Sequence, residues 1–213
     1  MDDTSSAVSS WMVTRRAASF GLFTVPLLGA HIGHRGRPAP DRLIIAARSQ
    51  IGQTLHYDPS YVPIDYPGGD IPTSTGVCTD VVIRAFRAAF SFDFQLAVHE
   101  DMGRAFETYP SSWGLTRRDP NIDHRRVPNL EVFLARRGAE ASNLIWQPGD
   151  VFTGRLPPSN LPHIAIVSDR RSLRSGNLLL IHNIGRGTEE SDWLDGFNAH
   201  RRFRFFPGID SLN

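Results

Sequence analysis

The chain has 213 residues, 40% hydrophobic and 21% charged. That balance supports one folded domain with a core and excludes a disordered chain and a polytopic membrane protein. Its 23 basic residues, all arginine, stand against 22 acidic ones, and a formal net charge of +1 argues against nucleic acid as a partner.

Residues 1–30 read as an export signal: Arg15 and Arg16 precede the apolar stretch from Ala17 to Ala30, and Leu28-Gly29-Ala30 offers small residues for cleavage. Thr14-Arg15-Arg16 with Phe20 close behind resembles a twin-arginine signal, from which Asp2 and Asp3 depart. A Sec signal and an N-terminal amphipathic or buried helix are the alternatives. A Gly/Pro/Arg-rich spacer follows over 31–40, and the folded domain is expected over 41–213. On this reading the mature chain has no integral membrane segment and resides in the periplasm or outside the cell. Its single cysteine, Cys78, has no internal disulfide partner.

Asp41 is placed to cap a first helix with Leu43, Ile44, Ala47 and Ile51 at helical spacing, ended by Gly52. From Leu55 to Gly76 the density of Pro, Gly, Asp and Tyr predicts a long ordered loop, a kind of segment that usually carries function. A second helix begins around Cys78 and lines Val81, Val82, Ala85, Phe86, Ala89 and Phe90 on one face. His99-Glu100-Asp101 is read as a helix start leading to Met102 and Phe106, and another helix runs from Pro128 to Gly138. Beyond Gln147-Pro148-Gly149-Asp150 come short apolar runs at Val151 to Thr153, His163 to Ser168 and Leu178 to Asn183. The alternation Arg202-Phe203-Arg204-Phe205 predicts a last strand with one wet face. Helices first and strands second indicate an α+β fold, helices packed on a C-terminal antiparallel sheet.

A cysteine at a helix start meets unpaired backbone N–H groups and the positive end of the helix dipole, which predicts a lowered thiol pKa. The sulfur should face the sheet on which the helix packs. His163 and His182 each lie on a predicted strand, so a Cys-His pair oriented by a third polar group is within the topology, with Cys78 as nucleophile and His163 as base. Alternation separates the two candidate orienters, His182 and Asn183, onto opposite faces. The opposing reading makes Cys78 plain core and the two histidines ordinary strand residues.

Four stretches resemble the NlpC/p60 group of papain-like cysteine hydrolases: Ala46 to Gly52 with the Tyr57 region, Tyr66-Pro67-Gly68-Gly69 ahead of Cys78, Gln147-Pro148-Gly149-Asp150, and His163-Ile164-Ala165-Ile166-Val167 with Ile181-His182. Tyr-Pro-Gly-Gly-Asp, Gly-Val-Cys-Thr-Asp, Asp-Pro-Asn-Ile-Asp-His-Arg-Arg and Ile-His-Asn-Ile-Gly are similar to an uncharacterised bacterial branch of that group, across roughly 41 to 206. The resemblance implies a papain-like fold, cleavage of amide bonds in peptidoglycan stem peptides, and Cys78, His163 and His182 as nucleophile, base and orienter, with no cofactor or metal. Val77-Cys78-Thr79-Asp80 departs from the usual Asp-Cys-Ser-Gly, leaving Asp80 either to replace the missing Asp or to serve the helix dipole.

Tyr57, Tyr66 and Asp70 on the long loop are candidates to wall a cleft, with Asn183 at the end of its strand. Arg125 and Arg126 beside His124 suit bidentate carboxylate binding or ordinary ion pairing. His99, His124, His163 and His182 raise a zinc alternative, but the sequence has neither an HExxH nor a CxxC spacing. Rival functions are a non-catalytic murein-binding module on the same fold and a lipid acyl hydrolase or transferase. The sequence leaves the oligomeric state open.

Overall fold

In the computed structural model, residues 36–143 and 145–208 are described; the expected export signal and the first half of the spacer lie outside them. Helix α1 (Ala39–Arg48) starts with Pro38 at its N-cap and Pro40 in its first turn, and buries Leu43, Ile44 and Ala47 as the spacing predicts. Asp41 therefore lies in the first turn and not at the cap. The helix stops at Arg48, and Gly52 (φ 79°) occupies the turn beyond it.

The chain from Leu55 to Gly76 is closed at its ends by two short parallel strands, β1 (His56–Tyr57) and β2 (Thr75–Gly76). Helix α2 (Cys78–Phe90) follows at once and buries the stripe Val81, Val82, Ala85, Phe86 and Ala89. Helix α3 (Phe94–Ala105) begins five residues before the expected start at His99. The Asp93 carboxylate accepts the Gln95 N–H at 2.9 Å, a side-chain cap that outweighs the acidic signal at Glu100-Asp101. Helix α4 (Val127–Arg136) has Pro128 in its first turn.

Five antiparallel strands complete the fold: β3 (Val151–Leu156), β4 (Leu161–Arg171), β5 (Leu178–Asn183), β6 (Thr188–Ser191) and β7 (Asn198–Phe203), in the order β6-β5-β4-β3-β7. The structure is thus α+β, with helices and a five-stranded antiparallel sheet. Strand β6 escaped the sequence reading because Thr-Glu-Glu-Ser has no apolar residue; only its pairing with β5 makes it a strand.

Register decides which residue faces which layer. Ile166 lies opposite Ile181, and Val167 opposite Leu180. Ile164, Ile166 and Ile181 accordingly join the helices in one core with Cys78, Phe86, Phe94 and Phe133. Ala165, Val167 and Leu180 form a second core with Phe152, Leu194 and Phe197, bordered by Trp146 and Trp193. The expected wet face of the last strand is not observed, since Arg202 is buried beside Phe203. Asp150 makes this tolerable by accepting Arg202 Nε at 2.6 Å and Arg204 Nη1 at 2.7 Å. Among the described residues no helix is long and apolar enough to cross a membrane.

Candidate active site

Cys78 is the first residue of α2, 4% exposed, and lines a cavity of about 200 Å³ with Tyr57, Trp113, Arg125, Arg126 and Pro162. Its thiol is not lowered, as the helix-start argument predicts, but pushed up to about 11. Burial is the main cause and penalises the thiolate; the backbone N–H groups of Ile164, Thr79 and Cys78 itself pull the other way and lose. At rest Cys78 is a neutral thiol.

His163, the third residue of β4, is also buried, and its ring stacks on Phe197 with centroids 4.9 Å apart and planes at 13°. It lines a neighbouring recess with Leu156, Leu161, Ile184 and Gly185, and this recess shares Tyr57 and Pro162 with the Cys78 cavity. Thiol and imidazole thus belong to opposite faces of the sheet, in two recesses that share Tyr57 and Pro162 as lining residues. No hydrogen bond joins them among the described residues.

Behind His163 runs a fully connected polar chain. His163 Nε2 lies 2.8 Å from His182 Nδ1, His182 Nε2 lies 2.9 Å from Ser191 Oγ, and the Ser191 hydroxyl donates to Glu189 Oε1 at 2.9 Å. The direction of every proton follows from the last member. A carboxylate only accepts, so Ser191 must donate to Glu189 and accept from His182 Nε2–H. His182 Nδ1 is then a lone pair, which obliges His163 Nε2 to carry its proton and leaves His163 Nδ1 as a bare basic nitrogen. Arg186 Nε, 3.4 Å from the second Glu189 oxygen, holds the carboxylate end. Burial holds His182 down to about 4 and His163 well below the usual histidine range, so both rings are neutral at rest.

Of the two candidate orienters, only His182 shares His163's face and hydrogen-bonds it. Asn183 points the other way, donating to Gly76 O at 2.9 Å and accepting the N–H groups of Gly185 and Gly187. It fastens the β5–β6 turn to β2. Gly187 is required there, because its φ is +92° and a Cβ would stand 2.5 Å from the Thr54 carbonyl oxygen.

Asp80 is engaged on both oxygens: Oδ2 accepts the Val77 N–H at 2.7 Å, and Arg125 grips the carboxylate with Nε at 2.9 Å and Nη2 at 3.0 Å. Thr79 Oγ1 donates to the Arg125 carbonyl at 3.1 Å. Thr79 and Asp80 therefore lock the 123–125 turn onto the start of α2, and Asp80 serves as cap and counter-ion and does not line the cavity. Of the residues expected to bind substrate, Tyr57 and Arg125 do line it. Asp70 is spent on Arg84 at 3.0 Å, Tyr66 packs edge-on to His99 at 5.0 Å, and His124 is sealed at 2% exposure with its Nδ1 unpartnered and burial holding it down to about 4. The sequence reading missed Trp113, Pro162, Ser191 and Glu189. Among the described residues no group of three or more His, Cys, Asp or Glu side chains converges as a metal site.

Residues 44–205 match the family described as Domain of unknown function (DUF1287), and the chain belongs to that family. It is also similar to the Uncharacterized protein YijF of Escherichia coli (strain K12), with 49% identity over 164 residues, covering 75% of this chain and 78% of that protein. The family match spans Cys78, His163, His182, Glu189 and Ser191.

Proposed function

We propose that this member of the DUF1287 family is an exported cysteine hydrolase of papain-like, NlpC/p60 type, acting in the periplasm or outside the cell on amide bonds of peptidoglycan stem peptides. The observation that carries the reading is the chain Glu189–Ser191–His182–His163, which fixes one tautomer and leaves a basic Nδ1 on His163, near the start of β4, in the recess next to the Cys78 cavity. Packing alone has no use for four buried or half-buried polar groups wired in series, since each costs desolvation that only full partnering offsets.

On this reading substrate entry shifts the shared lining of Tyr57 and Pro162 and brings thiol and imidazole together, as catalytic hydrogen bonds that are long in a free enzyme commonly tighten on binding. His163 Nδ1 takes the thiol proton while Cys78 Sγ attacks the carbonyl carbon, and the oxyanion meets the backbone N–H of Cys78 at the start of α2. The C–N bond then breaks, its electron pair going to nitrogen, which receives the proton from His163. Water, deprotonated by the same nitrogen, attacks the thioester; the C–S bond breaks and the sulfur recovers the proton.

One observation favours the rival reading of a murein-binding module: the thiol is neutral, almost fully buried, and unbonded to His163. Digestion of purified sacculi by wild type and Cys78→Ala separates the two. Hydrolysis requires released peptides from wild type and a loss of about a thousandfold or more in the variant. Sacculus binding without products from either chain supports the module.

A further inference from the structure

The cavity beside Cys78 contains two guanidinium groups in very different states. Arg125 is neutralised by the two-pronged contact with Asp80 and is 3% exposed along its side chain. Arg126, its neighbour, has no such partner. Its guanidinium lies over the Trp113 ring at 4.8 Å, and its buried Nη1 makes no hydrogen bond. The nearest carboxylate is Asp123, whose Oδ1 stands 3.9 Å away and is itself unpartnered. That is an ion pair beyond hydrogen-bond reach, so it leaves Nη1 without a hydrogen bond. No acidic side chain lines the cavity; its other walls are Tyr57, Pro59, Val77, Ile122, Val127 and Pro128.

A guanidinium whose buried Nη1 is held only by this long ion pair, on the wall of the pocket that holds the thiol, has room for a closer anion. We propose that Arg126 receives a carboxylate of the substrate, so that the cleaved amide lies within one residue of a free carboxylate. This rests on the hydrolase reading above and names its substrate class: acidic peptides in preference to their amidated counterparts. Cavity size sets the one-residue limit, because about 200 Å³ falls below the roughly 300–1,000 Å³ of sites that take a whole small molecule. Only a short segment reaches both Cys78 and Arg126. The planar fork suits a carboxylate, and Trp113 supports its other face. Arg125 and Arg126 look equivalent in the sequence; Asp80 decides which of them is available.

The test uses the full chain, whose single cysteine makes alkylation specific to Cys78. Iodoacetate and iodoacetamide form the same S–C bond with loss of iodide, but only the first carries a carboxylate. The ratio of their rates on the native protein is compared with the ratio on glutathione. Wild type should prefer iodoacetate at least about fivefold relative to glutathione, about 1 kcal/mol of differential contact. Arg126→Gln should fall to the glutathione ratio, and Arg126→Lys, which keeps the charge but not the fork, should retain part of the preference. Equal ratios in wild type and Arg126→Gln overturn the assignment while leaving hydrolysis to be judged by sacculus digestion. A preference for iodoacetate with no sacculus products keeps the carboxylate site and removes the hydrolase. Failure of both reagents to label the native chain overturns both readings, because the sulfur is then unreachable.

Discussion

The two faces of the sheet bury side chains by different physics. Toward the helices, Ile164, Ile166 and Ile181 meet a layer of hydrocarbon and aromatic rings in which Cys78 is the single thiol. On the other face, residues from the same strands place His163 against Phe197 and lead through His182 and Ser191 to Glu189. The hydrocarbon face needs only shape. The histidine face needs every donor matched, and the matching dictates where protons reside. A strand of period two can thus supply packing to one layer and a hydrogen-bonded polar chain to the other.

Acid should separate the faces most strongly. His124 and His182 are held down to about 4, and His163 well below the usual range, by burial. Between the ordinary histidine pKa of about 6.5 and those lowered values, the unfolded chain takes up protons that the folded chain refuses, so stability is present above that range and is lost as pH falls. Asp123, pushed up to about 6, opposes this, because the folded chain gains a proton there that the unfolded chain does not. Together with His99, which burial also lowers, the histidines outweigh this one carboxyl, so stability falls between about pH 7.5 and pH 5. Urea midpoints across that range measure it, and a flat profile would show that the rings are hydrated.

Phe86→Ala probes the hydrocarbon face. The ring is fully buried and meets Phe94 at 5.0 Å and Phe90 at 5.6 Å. Its loss should cost about 4 kcal/mol, and by the same amount at both ends of the pH range, since nothing it touches titrates. A cost that changes with pH would mean the two faces are coupled through the sheet.

Helix α2, the strand positions of His163 and His182, and the α+β layering were legible because apolar periodicity and chain order report burial directly. Strand β6 was not, since its polar residues take their conformation from β5, and with it went Ser191 and Glu189, half of the polar chain. The thiol was misjudged for a related reason: a helix start stabilises negative charge, but the depth at which that start is buried is a tertiary property, and depth prevails. Arg125 and Arg126 could be sorted only once Asp80 was seen to hold the first. Local chemistry can be read from a string of residues, whereas its partners come from the fold.

The smallest and most discriminating change is Ser191→Ala. It removes the group that forces His182 Nε2 to donate, leaving His182 able to take either tautomer and His163 Nδ1 no longer obliged to be bare. On the proposed hydrolase reading, the hydroxyl's net contribution of about 1 kcal/mol corresponds to a roughly five- to tenfold fall in kcat. KM should hold, because Ser191 lies behind the histidines and does not line the cavity. Ser191→Thr keeps an Oγ to donate to Glu189 and should restore most of the rate, which a role in strand packing alone would not require. Equal rates for Ser191→Ala and wild type would mean that His163 finds its tautomer without the chain behind it, and the two faces of the sheet would then differ in polarity but not in function.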